Sequence, residues 1–262
     1  MPETAAFFGN NSNLGYNLKQ LLRVCSGNFV MSLIGKFFEI PFYQKNEPRP
    51  AEEIEELDDE IIISPDTRRA KRLPPGQSRT KKFPVLDAFG TPEIDPENWR
   101  LEVSGLVERE ISWTLAEFRT LEAIKVYADF HCVTRWSRLD NIWTGVSAKK
   151  IAEMVGVKKE ARFVIAEAYD HSMFGQNWTT DFPLDYFLNE DSLIAFEHDG
   201  QPITPEHGGP VRLIVPQLYA WKSAKWLKAL RFVERDEPGY WERGGYHLRG
   251  VPWNGSDGER YR

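Results

Sequence analysis

The residues best suited to chemistry lie in one short stretch, residues 129–137. Cys132 has His131 beside it and Arg135 three residues further on. A thiolate is a soft metal ligand and a strong nucleophile, and neighbouring positive charge lowers the pKa of a thiol. A cysteine is also often a small buried hydrophobic residue. The stretch alone therefore leaves three hypotheses open: a core cysteine, a metal ligand or a nucleophile.

Two later stretches could bind an anion. In residues 207–212, glycines follow His207 and precede Arg212, so the backbone could approach a ligand and the guanidinium could bind a phosphate. In residues 221–226, Lys222, Ser223 and Lys225 lie between two tryptophans, which suits a phosphate beside a flat ring system. The plainer alternatives are a glycine turn before an edge strand and a solvated basic patch with packed tryptophans.

The sequence lacks the residues that several other kinds of functional site require. Zinc sites use several Cys or His ligands at short spacings, whereas only His131 and Cys132 are adjacent here. The chain has neither a Walker A loop nor a G-x-G-x-x-G motif. A hydrolase that pairs Cys132 with a distant histidine stays open, because the sequence does not show which histidine lies near it.

The elements that must position these stretches are mainly strands. Trp99 begins a stretch of alternating apolar and polar residues, and Thr114 with Glu117 forms a capping box for a short helix through about residue 121. Residues 147–155 carry apolar side chains at helical spacing and stop at Gly156. Four more stretches predict strands: residues 162–168, 192–197, 211–215 and 228–233.

Composition narrows the class of protein. The 262 residues are 41% hydrophobic and carry a net charge of -6, which favours a globular domain and argues against nucleic-acid binding. Cys25 and Cys132 lie far apart, so no disulfide framework is implied and a reducing compartment, the cytoplasm, fits best. The N-terminus lacks the pattern of a secretory signal, and the apolar residues 24–35 are too few to span a bilayer. We expect this segment to contact the protein rather than a membrane.

Charge runs predict the domain boundary. Residues 52–60 are acidic, residues 68–72 are basic, and Pro74, Pro75 and Gly76 follow. We expect residues 1–72 to be a partly flexible N-terminal extension and charged linker, dispensable for cofactor binding. Residues 73–262 would then form one domain.

Four separated stretches together resemble one family. They are residues 83–86 (Phe-Pro-Val-Leu), 129–137 (Asp-Phe-His-Cys-Val-Thr-Arg-Trp-Ser), 207–213 (His-Gly-Gly-Pro-Val-Arg-Leu) and 219–226 (Tyr-Ala-Trp-Lys-Ser-Ala-Lys-Trp). In this order they resemble the sulfite-oxidase-like molybdopterin-dependent oxidoreductases, in particular the small bacterial members that carry no signal peptide. The resemblance covers about residues 73–261 and includes the weaker matches at 239–242 and 259–261.

The resemblance implies an α+β fold with mixed β-sheets and short helices, a sulfite-oxidase-type molybdopterin-binding domain. It implies one molybdenum held by a pterin dithiolene, with Cys132 as the protein ligand of the metal. Cofactor contacts would come from a set of residues in the matched stretches: Asp87, Ala88, Cys132, His207, Arg212, Ser223, Ala224 and Lys225. Arg135 and His131 are the candidates for orienting a substrate, because an oxyanion needs donors beside the metal; His131 could equally act behind the cofactor.

The function implied is two-electron oxygen-atom transfer between molybdenum and a small oxyanion or S/N-oxide, with an external electron-transfer partner. The chain departs from animal and plant sulfite oxidases, which carry an Asn-Arg pair after the cysteine where this chain has Val133-Thr134-Arg135-Trp136. Ala168 falls near the position where periplasmic methionine sulfoxide reductases offer a threonine. These departures argue against both sulfite and methionine sulfoxide as the substrate. The alternatives are a cofactor carrier without turnover and a Cys132-dependent hydrolase.

Overall fold

A computed structural model describes Arg49, residues 60–171, Gly175 and residues 177–253. These residues all belong to one compact unit, residues 45–262. The apolar segment 24–35, Cys25, the acidic residues 52–59 and the weak family match at 259–261 lie outside the described residues. No helix in the described part of the chain is long and apolar enough to cross a bilayer.

The described strands are β1 (Ile61–Ile63), β2 (Ser78–Arg79), β3 (Arg100–Gly105), β4 (Ile111–Thr114), β5 (Ala123–Cys132), β6 (Trp136–Ser147), β7 (Phe163–His171), β8 (Asn177–Pro183), β9 (Leu193–His198), β10 (Gln201–Pro202), β11 (Arg212–Ile214) and β12 (Leu227–Val233). The helices are short: α1 (Leu115–Arg119), α2 (Ala148–Val155), α3 (Leu184–Phe187) and α4 (Tyr240–Arg243). Single 3₁₀ turns cover Pro65–Arg68, Pro205–His207 and Ala220–Lys222.

The strands form two sheets. The seven-stranded sheet runs β1-β5-β6-β9-β10, with β2 beside β6 and β11 beside β9. The five-stranded sheet runs β4-β3-β12-β7-β8. Both sheets mix parallel pairs (β1 with β5, β3 with β12) and antiparallel pairs. The architecture confirms the predicted α+β class with mixed sheets and short helices.

The largest apolar cluster joins the two sheets. It includes Leu101 and Phe232 of the five-stranded sheet, Ile194 and Leu213 of the seven-stranded sheet, and Ile151 of α2. Each of these side chains is fully buried. Burial of this apolar surface is the main favourable contribution to folding, and it fixes the strand ends on which the candidate site is built.

The local sequence signals are confirmed. Thr114 and Glu117 form both hydrogen bonds of the capping box at α1. Ser147 caps α2, and Gly156 ends it in a left-handed conformation with φ of 66°. The predicted strands correspond to β3, β7, β9, β11 and β12, with shifts of a few residues at their ends.

The described part of the predicted extension and charged linker, residues 60–72, contacts the rest of the domain. β1 pairs in parallel with β5, from Ile61 beside Lys125 to Ile63 beside Tyr127. Arg72 is largely buried and binds Asp129 at 2.6 Å and Asp140 at 2.8 Å. The charge pattern concealed these contacts because Arg72 neutralises buried carboxylates rather than facing water. A chain beginning near residue 73 would lose β1 and both ion pairs of Arg72. The domain boundary and the dispensability of residues 1–72 for cofactor binding stay predictions.

Candidate active site

Cys132 lies at the end of β5, in the hairpin that joins β5 to β6. Its backbone pairs with that of Trp136, and three residues form the loop between them. The N–H of Arg135 donates to the carbonyl of Cys132 at 3.0 Å, and Arg135 has a left-handed backbone with φ of 73°. A tight turn that ends in a left-handed residue is a common way to close a three-residue hairpin loop. The loop therefore holds the backbone of Cys132 at a fixed corner.

A hydrogen-bond network lies behind this corner. The amide nitrogen of Gln77 donates to the carbonyl of Cys132 at 2.9 Å, and its amide oxygen accepts from the hydroxyl of Ser137 at 3.2 Å. Nδ1 of His131 lies 2.8 Å from the same hydroxyl oxygen. Because the Ser137 hydroxyl donates to Gln77, Nδ1 of His131 is the donor of the remaining bond. The network joins both strands of the hairpin to the segment before β2.

His131 is not placed to contact a substrate. Successive residues of a strand face opposite sides, so His131 faces away from Cys132. It is fully buried, and it is absent from the described residues that line the cavity containing Cys132. Burial, reinforced by the charge of Arg72, lowers the pKa of His131 to about 3, so its ring is neutral. Of the two roles predicted for His131, only the one behind the site agrees with this position.

Arg135 is not at the cavity either. Arg135 is exposed. It is not among the described residues that line the cavity, although its neighbours Thr134 and Trp136 are. Its backbone contributes to the loop: its N–H donates to the carbonyl of Cys132, and its carbonyl accepts from the N–H of Ser78 at 2.9 Å. Closeness to Cys132 in the sequence predicted a side-chain role at the substrate, and the described lining of the cavity does not include this side chain.

Cys132 opens into a cavity of about 240 Å³ between the two sheets. Among its lining residues, aromatic side chains form much of the wall: Phe83, Phe130, Trp136, Trp178, Trp221 and Trp241. The cavity also contacts Asp87, Ala88, His207, Arg212, Ser223 and Lys225, so residues from all four stretches named above come together here. Three predicted site residues, His131, Arg135 and Ala224, are not among the described lining residues.

The thiol of Cys132 is free and largely buried. Its sulfur lies 3.1 Å from the hydroxyl oxygen of Thr134. Burial raises the pKa of the Cys132 thiol, while the hydroxyl and the backbone N–H of Thr134 act in the opposite direction. A thiol whose pKa is raised is a poor nucleophile in the protein alone, whereas a metal ion removes its proton on binding. The environment therefore suits a metal ligand better than a hydrolytic nucleophile.

Arg212 places a positive charge in the wall of the cavity. Its guanidinium donates to the carbonyls of His207 at 2.7 Å and Ser223 at 3.0 Å. Its Nε has no hydrogen-bond partner among the described residues, and burial lowers the pKa of Arg212 to about 9. The guanidinium still carries its charge at neutral pH, but these carbonyl contacts leave that charge unneutralised. A buried cation of this kind suits a bound anion.

Lys225 adds a second cation. Its ammonium donates to the carbonyl of Glu206 at 3.1 Å, lies 3.9 Å from the carboxylate of Asp87 and stands 4.2 Å over the ring of Trp226. Burial, followed by repulsion from Arg212, lowers the pKa of Lys225 to about 8. An anion bound between the two cations would reverse that shift.

The glycines of residues 207–212 serve the protein rather than a ligand. A Cβ at Gly208 would come within 2.8 Å of the side chain of Lys225, and one at Gly209 would come within 2.1 Å of the carbonyl of Ile203. The glycines therefore let chain segments approach one another, which corrects the expectation of backbone donors aimed at a ligand. His207 itself stacks on Phe83 with ring centroids 4.1 Å apart, and burial lowers the pKa of its imidazole.

Ser223 and Ala224 belong mainly to the framework. The hydroxyl of Ser223 accepts from the N–H of Val215 at 3.0 Å, and the carbonyl of Ala224 accepts from the N–H of Leu213 at 2.8 Å. Ser223 still lines the cavity, whereas Ala224 is buried in the apolar core. Direct cofactor contact by Ala224 is therefore not supported, because its side chain packs on the opposite side of the segment.

Lys222 is not part of the anion site. It is completely buried, and its ammonium lies 2.5 Å from both the carboxylate of Glu242 and the carbonyl of Asp181. The charge of Lys222 is thus neutralised by Glu242 inside the protein. Lys225 is the cation of the stretch 221–226 that reaches the cavity.

Sequence reasoning missed some cavity residues. Thr134 and Trp136 belong to the stretch 129–137 but have no role assigned from the sequence, and Asp170, Trp178 and Tyr246 lie outside the stretches predicted to form the site. Because side chains alternate along a strand, Phe130 could be expected on the same face of β5 as Cys132. Trp178 and Tyr246 had no comparable signal, because they come from distant segments that only the sheet packing brings together.

Comparisons with known proteins agree with this site. The oxidoreductase molybdopterin binding domain model matches residues 88–241. The chain is 48% identical over 183 residues to YuiH, an uncharacterized oxidoreductase of Bacillus subtilis, covering 70% of this chain and 89% of that one. It is 31% identical over 175 residues to a putative protein-methionine-sulfoxide reductase subunit of Azospira oryzae, covering 65% of this chain and 64% of that one. With the mitochondrial sulfite oxidase of Drosophila melanogaster the identity is 25% over 185 residues, covering 63% of this chain and 32% of that one.

The chain belongs to the oxidoreductase molybdopterin binding domain family. It is a molybdopterin-dependent oxidoreductase of the sulfite-oxidase-like group, and its cofactor is molybdenum held by molybdopterin.

The residues present fit that cofactor. A buried thiol can supply a soft ligand to molybdenum, and the two cations in the cavity wall can neutralise a phosphate. The unpartnered Nε of Arg212 is the clearest structural sign, since a buried donor without a partner is costly unless a ligand satisfies it. Aromatic rings in the wall suit the flat ring system of a pterin.

Proposed function

We propose that this enzyme transfers an oxygen atom, with two electrons, between molybdenum and a small S- or N-oxide. The observation that carries the proposal is the free thiol of Cys132 at the wall of a cavity that also contains the charges of Arg212 and Lys225. Molybdenum, when bound, supplies the two-electron redox chemistry. The chain's own residues hold the cofactor and shape the substrate space.

The wall near Cys132 supports a neutral oxide over an oxyanion. The candidates for binding an oxyanion beside the metal were Arg135, which lies outside the cavity lining, and His131, which is buried and neutral. Near Cys132, Val133 and Trp221 belong to one apolar cluster, against which Trp241 and Tyr246 pack. Sulfite and similar dianions need several donors or cations, whereas a sulfoxide or amine N-oxide presents apolar groups to such a wall.

The residues divide the work as follows. Cys132 binds the metal, and Arg212 with Lys225 binds the anionic end of the cofactor. Phe83 holds His207 by stacking, which fixes the ring at the same end. Reduction of an oxide to the parent compound and water consumes two electrons and two protons, so an external electron-transfer partner completes the cycle.

The test is a substrate panel on protein loaded with molybdenum. We expect turnover of dimethyl sulfoxide, trimethylamine N-oxide or methionine sulfoxide with a reduced viologen dye, and much slower reaction of sulfite with an oxidising dye. The Cys132→Ser variant serves as the matched control for background chemistry.

Fast oxidation of sulfite with no reduction of any oxide would contradict the preference for a neutral substrate. Full molybdenum content without turnover in either direction would favour a cofactor carrier. Purified protein that contains no molybdenum, from a host whose other molybdoenzymes are loaded, would contradict the proposal altogether.

A further inference from the structure

Thr134 is the second residue of the loop that follows Cys132. Its hydroxyl oxygen lies 3.1 Å from the Cys132 sulfur, and its side chain lines the cavity. The loop conformation itself rests on backbone bonds and on Gln77, not on this hydroxyl. The residue is exposed, so its side chain can be changed with little effect on packing.

Metal binding decides which atom of this pair donates. In the free protein either the thiol or the hydroxyl can provide the hydrogen. A cysteine that ligates a metal has lost its proton, so the Thr134 hydroxyl becomes the only hydrogen source in the pair. The contact is then a charge-assisted hydrogen bond from Thr134 to the thiolate, beside the backbone N–H of the same residue.

We propose that Thr134 is a positioning residue that tunes the reduction potential of molybdenum through its hydrogen bond to the Cys132 sulfur. The inference rests on the proposed role of Cys132 as the metal ligand. A hydrogen bond to a thiolate withdraws electron density from the sulfur, so the sulfur donates less to the metal. The lower oxidation state of the metal is thereby favoured, and its reduction potential is raised.

Two substitutions isolate the hydroxyl. Thr134→Val replaces it with a methyl group of similar shape and keeps the backbone N–H, while Thr134→Ser keeps the hydroxyl and removes the methyl group. Thr120→Val is the control, because Thr120 caps the exposed end of α1 and its hydroxyl donates to the carbonyl of Glu117 at 2.7 Å.

The measurements are molybdenum content, the potential of the metal by redox titration, and the sulfur-to-metal absorption band. In Thr134→Val we expect full loading, a potential more negative than in the wild type, and a band shifted to longer wavelength. Thr134→Ser and Thr120→Val should both keep the wild-type potential and band. A Val variant that lost molybdenum while the Ser variant kept it would also support the contact.

An unchanged potential and band in fully loaded Thr134→Val would overturn the proposal. Equal shifts in the Val and Ser variants would do the same, since they would show that the methyl group and not the hydroxyl is responsible. If the ligand role of Cys132 failed instead, Cys132→Ser would retain the wild-type absorption band, which separates that failure from this one.

Discussion

Lys225 and Arg212 show how single residues prepare the cavity for an anion. Both are charged and largely buried, and both have a lowered pKa because burial disfavours their charge. The sequence predicted this pair from a cation among aromatics and from an arginine after a glycine turn. It did not predict that Lys222, three residues before Lys225, forms an ion pair with Glu242. Glu242 lies 20 residues further along the chain, and only the fold brings it to Lys222.

Lys225→Met should lower molybdenum and pterin content together. The methionine keeps the apolar stem but loses the charge, and a charge-assisted contact contributes roughly 1.5–3 kcal/mol, or about ten- to a hundredfold in affinity. Metal and pterin analysis of the purified variant measures the effect, and turnover per molybdenum should stay near normal.

The control is Lys228→Met, since Lys228 lies on β12 and pairs with Glu167 at 2.7 Å. Full cofactor content in Lys225→Met with reduced turnover would assign Lys225 to the substrate space instead.

At the scale of elements, the β5–β6 hairpin determines which residues reach the site. Strand alternation places Phe130 and Cys132 on the cavity side and His131 on the other. These placements were predictable once residues 123–132 were recognised as a strand, and they favour the predicted role of His131 behind the cofactor over contact with a substrate. Arg135 forms a left-handed corner of the loop, and the sequence offered no glycine or asparagine there to reveal the turn.

Arg135→Gly and Arg135→Ala should both keep near-normal turnover, because the side chain lies outside the cavity lining. The Gly variant should be more stable than the Ala variant by about 1 kcal/mol, since a left-handed backbone penalises any residue with a Cβ. Chemical denaturation of the two variants measures this difference. Comparable loss of turnover in both variants at wild-type cofactor content would support the predicted role of Arg135 in orienting the substrate.

At the scale of the whole molecule, buried charges join the C-terminal segment to the five-stranded sheet. Asp181 of β8 faces Lys222, Asp236 and Glu242, and burial raises its pKa to about 7. Trp241, next to Glu242, lines the cavity, so this cluster holds one wall of the site in place. Nothing in the local sequence indicated the cluster, since its members are separated by up to 61 residues and meet only through the fold.

The cluster predicts a pH dependence of stability. A carboxyl whose pKa is higher in the folded state stabilises the fold at pH values below its ordinary pKa, and this contribution is lost as the pH rises through about 7. Asp181→Asn should therefore lose less stability than the wild type between pH 5 and pH 8 in denaturant titrations. Other buried carboxyls, such as Asp191, affect both proteins alike. Equal losses in the two proteins would show that Asp181 ionises normally in the folded state.

The central claim is that the thiolate of Cys132 binds molybdenum, and X-ray absorption at the molybdenum edge tests it most directly. The measurement compares wild-type protein with Cys132→Ser, each normalised to its metal content. We predict that the variant retains much of its pterin, has one sulfur neighbour fewer around the metal and has lost its turnover, because a hydroxyl is a harder and far less acidic ligand than a thiol. The same number of sulfur neighbours in both proteins, with turnover preserved in the variant, would contradict the account.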